Sequence, residues 1–377
     1  MNQFFLSIFL APSLLCFAAT DEVHHLDYVP EMSEPVIETV TEGTNEMPGP
    51  RLIDLHDLSQ DFILETKEIK IAEYPWSFNP TLIRWKERLL LCFRIRGTEK
   101  GVANRIGLVW LNEHLDPISS PTILEFRLTE PYGQHDQDPR LVEADGRLFM
   151  VHCNFLAEGT DRPTRRVFYS EVHQIGDSFY VENPESIIEY PHANPLRWEK
   201  NWIPFEFEKK LLLAYSITPH RILLPIRGEH RAEFFAESNA VIDWPWGVLR
   251  GGTQALLDGD EYISFFHSSI NMPSVHSEGK VMQHYFMGAY TFSAKPPFEV
   301  LRVSPEPIVA TNFYNAPPYK TWKPLRVVFP CGLVIDGDTF LVSYGRQDFE
   351  MWIAKIDKQK LFKSLIPTKQ NQESGAQ

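Results

Sequence analysis

Five stretches of the chain carry the same alternation of apolar and polar positions. Each runs from a small residue or proline through an apolar strand and a polar turn into a second, more strongly apolar strand that ends in polar groups. They are NPTLIRWKERLLLCFRIR from Asn79, DPRLVEADGRLFMVHCNF from Asp138, IPFEFEKKLLLAYSI from Ile203, GGTQALLDGDEYISFFHSS from Gly251 and FPCGLVIDGDTFLVSYGRQD from Phe329. The turns KER, ADGR, EKK, DGDE and DGDT are short, and Asp-Gly pairs favour the backbone of a tight hairpin. Successive copies lie roughly 50 to 80 residues apart, which leaves room for two further strands per unit. RIGLVWLN, RRVFYSEVH and MGAYTFS supply such strands. No apolar pattern with a helical period is sustained, which speaks against a helical solenoid or alternating strands and helices. The pattern therefore predicts an all-β fold, a five-bladed β-propeller, whose radial sheets leave only short protected edges. A β-sandwich, the alternative all-β solution, gives no reason for hairpins to recur at blade-sized intervals.

The same pattern sets the boundaries. Residues 1–20 hold an apolar stretch from Phe4 to Leu15 ahead of the small residues Ala18 and Ala19, the form of a secretory signal or, failing cleavage, an N-terminal anchor. Residues 21–50 read as a flexible acidic leader, 51–366 as a single propeller domain and 367–377 as a disordered polar tail. The predicted destination is export, with no stable membrane span after signal removal. Of 377 residues 43% are hydrophobic, enough for a large core. The net charge of -14 and the lack of a basic run exclude the electrostatic footprint of a nucleic-acid partner. Cys92, Cys153 and Cys331 fall in strand-like phrases and read as buried thiols rather than a disulfide framework.

In a propeller the first strand of each unit lies nearest the axis, so residues entering it and residues leaving the second strand converge on one end of the channel. Entering positions are Asn79, Asp138, Lys200 with Asn201, Arg250 and Arg326; leaving positions are Arg94, Arg96, Asn154, His220, His267 with Ser268, and Tyr344 with Arg346 and Asp348. Apolar strands thus deliver Arg, Lys, His, Asn and Asp to one rim, a set suited to a small polyhydroxylated or anionic ligand. No cluster has the spacing of a zinc or calcium site, no Gly-rich phosphate loop is present and no Ser-His-Asp set stands out.

NPTLI with FRIR, the DPR at Asp138, KNWIPF from Lys200, RGGT with FFHSS, YFMGAY, and VVFPCG with YGRQD resemble the ordered motifs of glycoside hydrolase family 130, the β-mannoside phosphorylases and related hydrolases, over roughly Trp76 to Asp357. The resemblance implies a five-bladed propeller and inverting phosphorolysis of β-mannosides to α-mannose 1-phosphate. It makes Asp138 the one catalytic side chain, an acid that passes its proton through a sugar hydroxyl, while phosphate serves as nucleophile and no second carboxylate is required. If the segment is extended, Asp136 lies on the same side as Asp138, where like charge favours the protonated acid and Arg140 opposes it.

By motif position, Arg165 or Arg166, Lys200 and His267 are the phosphate ligands. Asn79, Arg94, Asn154 and Asp348 are placed for sugar hydroxyls, and Trp76, Trp202 and Tyr285 for stacking on sugar faces. Gln137 stands where the family often has an acidic residue, and Ser268 follows His267 where glycine is usual. No cofactor is expected beyond inorganic phosphate as co-substrate, and the expected partner is an oligosaccharide or glycoconjugate. Three alternatives share the fold: hydrolysis with Asp348 or Glu350 as base, mannosyl transfer, and glycan binding without turnover.

Overall fold

The computed structural model describes residues 52–97, 104–126, 136–156, 164–191, 193, 199–317, 319 and 323–370. The signal or anchor at 1–20, the leader at 21–50 and residues 371–377 of the tail lie outside the described residues. Strand β1 (Ile63–Ile69) opens the chain's sheet structure but belongs to the last blade. The first blade is β2 (Ser77–Trp85), β3 (Arg88–Ile95), β4 (Arg105–Leu111) and β5 (Thr122–Ile123); the second is β6 (Gln137–Ala144), β7 (Arg147–Leu156), β8 (Thr164–Ile175) and β9 (Ser178–Ile187). The third is β10 (Ile203–Phe207), β11 (Lys210–Ile217), β12 (His220–Ile226) and β13 (Arg231–Ser238), followed by the short β14 (Ala240–Val241). A seven-stranded sheet comes next, with β15 (Arg250–Gly251), β16 (Leu256–Asp258), β17 (Glu261–Met272), β18 (Met282–Ser293), β19 (Val300–Val303) and β20 (Leu325–Arg326). The last blade joins β21 (Val328–Asp336), β22 (Thr339–Arg346) and β23 (Glu350–Asp357) to β1. Helix α1 (Lys358–Ser364) and strands β24 (Ile366–Pro367) and β25 (Lys369–Gln370) end the described chain.

The all-β propeller arrangement expected from the repeats is what forms, with one correction. Four sheets have the regular four-stranded form, and the copy of the phrase at Gly251 does not make a fifth of that kind. Its hairpin strands β17 and β18 have grown to 12 residues each. The overhang offers backbone partners to β20, while β24 extends the sheet at β19. Within the stretch predicted as a tail, Pro367 pairs with Arg302, and Lys369 and Gln370 pair with Val241 and Ala240.

Three of the predicted hairpins close through two-residue turns. Lys86 and Glu87, Asp145 and Gly146, and Glu208 and Lys209 all take positive φ, the two-residue geometry that matches strand twist. The first and last blades meet because β1 pairs antiparallel with the outer strand β23, so the chain's beginning holds the ring closed.

Around the axis the inner strands are stitched by buried side chains. Gln254 donates to Leu82 O at 3.1 Å and Leu333 O at 2.8 Å and accepts from Leu333 N at 3.2 Å. Thr81 donates to Cys331 O at 3.0 Å, and Ser343 to Pro80 O at 2.6 Å. Such approach needs a missing side chain: a Cβ at position 332 would overlap the backbone of Thr81 and Leu82. At the end of the axis away from Asp138, a cavity of about 320 Å³ is lined by residues of all five inner segments, among them Ile83, Val142, Glu206, Ala255 and Leu333. Cys92, Cys153 and Cys331 are buried free thiols, as expected. Among the described residues no helix is long and apolar enough to cross a membrane.

Candidate active site

Asn79 and Asp138 occupy the same place in successive blades. Each precedes a proline, each has positive φ, +48° and +51°, and each sits where the inner strand slips register against its neighbour, between Phe78 and Thr81 and between Gln137 and Arg140. Asn and Asp tolerate this backbone better than other side chains. The distortion turns the two side chains toward each other, and Asn79 Nδ2 donates to Asp138 Oδ1 at 2.9 Å.

Three cations complete the surroundings of Asp138, which is 6% exposed. Arg94, leaving β3, donates through Nη1 to Oδ1 at 3.2 Å. Lys200 Nζ lies 3.9 Å from Oδ2. Arg140, buried, donates to the Asp138 carbonyl at 2.5 Å, to Asn201 Oδ1 at 3.2 Å and to the Gly252 carbonyl. Burial alone pushes the Asp138 carboxyl up, but the charges of Arg94, Lys200 and Arg140 and the Asn79 hydrogen bond outweigh it and hold the group well below the usual carboxylate range.

The remaining predicted residues divide. Arg165 donates to Gln137 Oε1 at 2.6 Å, and together with burial its charge lowers the Lys200 ammonium. The charge of Arg166, its neighbour on the strand, acts on Tyr190 instead. His267 is buried with Nδ1 at 2.8 Å from the Gly251 carbonyl. A carbonyl only accepts, so the proton is on Nδ1 and Nε2 carries a lone pair. Burial, then the Arg250 charge, push the His267 imidazole down to about 3. His267 is therefore neutral, with Nε2 able to accept a hydrogen bond. Its ring stacks on Tyr285 with centroids 6.0 Å apart. Asp348, in the β22–β23 turn, is raised by burial, with Arg94 opposing and the Asp138 charge adding. The two carboxyls thus differ in proton affinity within one electrostatic field.

Several expectations are corrected. Asp136 does not face Asp138: the positive φ of Asp138 and the adjacent bulge break strand alternation, and Asp136 Oδ1 instead takes Asn154 Nδ2 at 2.8 Å and lies 3.1 Å from His152 Nε2. Asn154, fully buried, is committed to that contact rather than to a sugar. Trp202 is no platform, since it is 2% exposed among Tyr190 and Tyr215 and donates to Glu199. Trp76 is 47% exposed, with its edge against Phe349. Glu350 accepts from Arg346, Tyr319 and Trp352 at 2.5, 2.5 and 2.7 Å, which hold its carboxyl below the usual range against the effect of burial. His220 is buried against the Phe298 carbonyl. Ser268, also buried, accepts from Trp244 at 2.9 Å.

One contributor escaped the sequence reading, and a second, Arg96, was read there only as a rim position. Gly345 gives Asn79 its room, because a Cβ there would overlap Asn79 Oδ1; the YGRQD phrase was the available signal. Arg96 donates to the Asp348 carbonyl at 2.7 Å and lies over the Phe349 ring, 4.2 Å from its centroid, fixing the turn that presents Asp348.

No protein-family model matches this sequence, and no curated protein matches it. Solved structures do. A mannose phosphorylase from Leishmania mexicana, in complex with phosphate ion, superposes with a TM-score of 0.53 at 12% identity over 85% of this chain and 96% of its own. A GDP-Man-dependent mannosyltransferase from Leishmania mexicana gives 0.52 at 13% identity, over 79% and 91%. A structure from the glycoside hydrolase family 130 of mannoside phosphorylases, a family described as containing glycoside hydrolases that target β-1,2 mannosidic linkages in Candida mannan, gives 0.51 at 13% identity, over 75% and 84%. The likeness is one of fold: this chain is built on the all-β propeller that these proteins share.

Proposed function

We propose that the protein is a carbohydrate-active enzyme that transfers β-mannosyl units, by inverting phosphorolysis to α-mannose 1-phosphate. The observation that carries this reading is the Asp138 carboxylate, buried at the end of the axis among Asn79, Arg94, Lys200 and Arg140. A phosphorylase needs an acid and an anion site, and here Lys200 serves both. In the free protein the surrounding cations keep Asp138 ionised. A phosphate bound near Lys200 and Arg165 brings negative charge that offsets them and raises Asp138 toward its protonated form. Asp138 then gives its proton, through a sugar hydroxyl, to the glycosidic oxygen as the C1–O bond breaks, and a phosphate oxygen bonds to C1 from the opposite face. The products are α-mannose 1-phosphate and the shortened acceptor. His267 Nε2 is suited to accept a hydrogen bond from a sugar hydroxyl or a protonated phosphate oxygen.

Hydrolysis is the second reading, and Asp348 favours it. A carboxyl raised by burial is better matched to taking a proton from water than an ordinary one, and the apolar start of the chain supports export, where sugar phosphates are less readily used. Incubation with β-1,2-mannobiose with and without phosphate separates the readings. Phosphorolysis gives mannose 1-phosphate only when phosphate is present. Free mannose released equally in its absence points to hydrolysis, and oligosaccharide binding with no product from any acceptor to a glycan-binding propeller.

A further inference from the structure

Away from the axis, three side chains with metal-binding chemistry meet at the tip of the long β17–β18 hairpin. On one side Asp54 caps the 3-10 turn Leu55–Leu58, its Oδ1 accepting from the His56 backbone N–H at 2.9 Å. On the other, Ser274 caps the turn Val275–Ser277 through a reciprocal capping box. A backbone hydrogen bond from Val275 N to Ile53 O at 3.0 Å docks the two turns. The docking sets His276 Nε2 3.0 Å from Asp54 Oδ1 and the His56 and His276 rings 4.4 Å apart between centroids. One ligand atom from each of Asp54, His56 and His276 lies within 4.8 Å of the others.

The bonding around these groups is incomplete. His56 Nδ1 lies 3.9 Å from Asp54 Oδ1, and His56 Nε2 is buried without a hydrogen-bond partner among the described residues. Leaving a buried polar nitrogen unsatisfied is costly, and a bound cation is one way to satisfy it. Arg326 is the nearby opposing charge, and its Nε is committed to the His276 carbonyl at 2.6 Å.

We propose that Asp54, His56 and His276 form a site for one divalent transition metal of the zinc class, clasping the N-terminal turn to the hairpin tip. Two imidazoles and a carboxylate are a donor set that zinc accepts, with the fourth position left to water. To bind, His276 shifts its proton from Nε2 to Nδ1, so that the hydrogen bond to Asp54 is exchanged for two metal bonds. The segment held this way packs toward the sugar site: the His276 ring lies 5.8 Å from Tyr314, whose hydroxyl donates to the Tyr285 carbonyl at 2.9 Å.

The test is calorimetric titration of the chelator-stripped, dialysed full chain with zinc sulfate, paired with thermal melts. The expected result is one ion bound per chain with a raised Tm, and an affinity loss of more than about tenfold in both His276→Gln and Asp54→Asn, ligands counting for at least what their outer partners do. Absence of saturable binding to the wild type overturns the proposal, as does unchanged binding in both variants. If a variant fails to fold, the wild-type titration and the other variant still decide.

Discussion

Asn79 and Asp138 sit 59 residues apart at equivalent points of adjacent blades, and the amide of one donates to the carboxylate of the other at 2.9 Å. Repetition of a strained Asx-Pro step has here produced a pair: the neutral copy orients the charged one. The relationship depends on a third residue, because Asn79 Oδ1 occupies the space that a side chain at 345 would fill.

Gly345→Ala is therefore expected to act at the site from outside it. The added methyl must displace the Asn79 amide, at a cost of about 1–3 kcal/mol for overpacking, and turnover should fall along with stability. Asn79→Ser, which vacates the space, should restore part of the stability to the Gly345→Ala protein. Denaturant unfolding of the single and double variants measures this coupling, and additive effects would show that the two residues are independent.

Stability should depend on acid through Asp138. Its folded-state affinity for protons lies below that of the unfolded chain, so the unfolded state protonates first. The stabilisation is complete above the usual carboxylate range, near pH 4, and is lost as pH falls from there toward the depressed folded value. Urea melts of wild type and Asp138→Asn should differ most at neutral pH and converge in acid.

His267 should stay neutral from pH 5 to 8. With its imidazole held at about 3, the unfolded state takes the proton first as pH drops below about 6.5, and the buried histidine contributes stability above that pH that fades in acid. Proton NMR of the ring C–H in that range should show no titration for this residue. A midpoint near 6.5 would contradict the buried, neutral imidazole.

Phosphate is expected to change the ionisation of Asp138. Offset of the Lys200 and Arg165 charges by the bound anion raises the carboxyl, so phosphate binding should take up a fraction of a proton per chain between pH 4 and 6. Calorimetric titrations in buffers of different ionisation enthalpy detect that uptake, and Lys200→Met should weaken binding by about 1.5–3 kcal/mol, the loss of a charge-assisted hydrogen bond.

Much of this was legible before any coordinates. Hairpins announced themselves because Asp-Gly favours positive φ and because short polar turns separate apolar strands, and the Asn-Pro and Asp-Pro phrases marked the strand entries that meet at the axis. What the sequence hid was set by distance and by packing. Nothing local tells that β17 and β18 outgrow the hairpins of the other repeats, that Gln254 reaches two other inner strands, or that His276 meets Asp54 across 222 residues. Strand alternation misplaced Asp136 because the bulge at Asp138 interrupts it. Trp202 was misread because an aromatic entering an inner strand has the same pattern whether it faces sugar or Tyr190 and Tyr215.

The central claim is that the caged Asp138 carboxyl carries the chemistry. Turnover of β-1,2-mannobiose in phosphate by Asp138→Asn tests it most directly, with oligosaccharide binding measured on the same preparation. The account predicts a fall in turnover of about 10²–10⁴-fold with the sugar still bound. Asp138→Asn protein that binds the sugar and turns it over at the wild-type rate would contradict it.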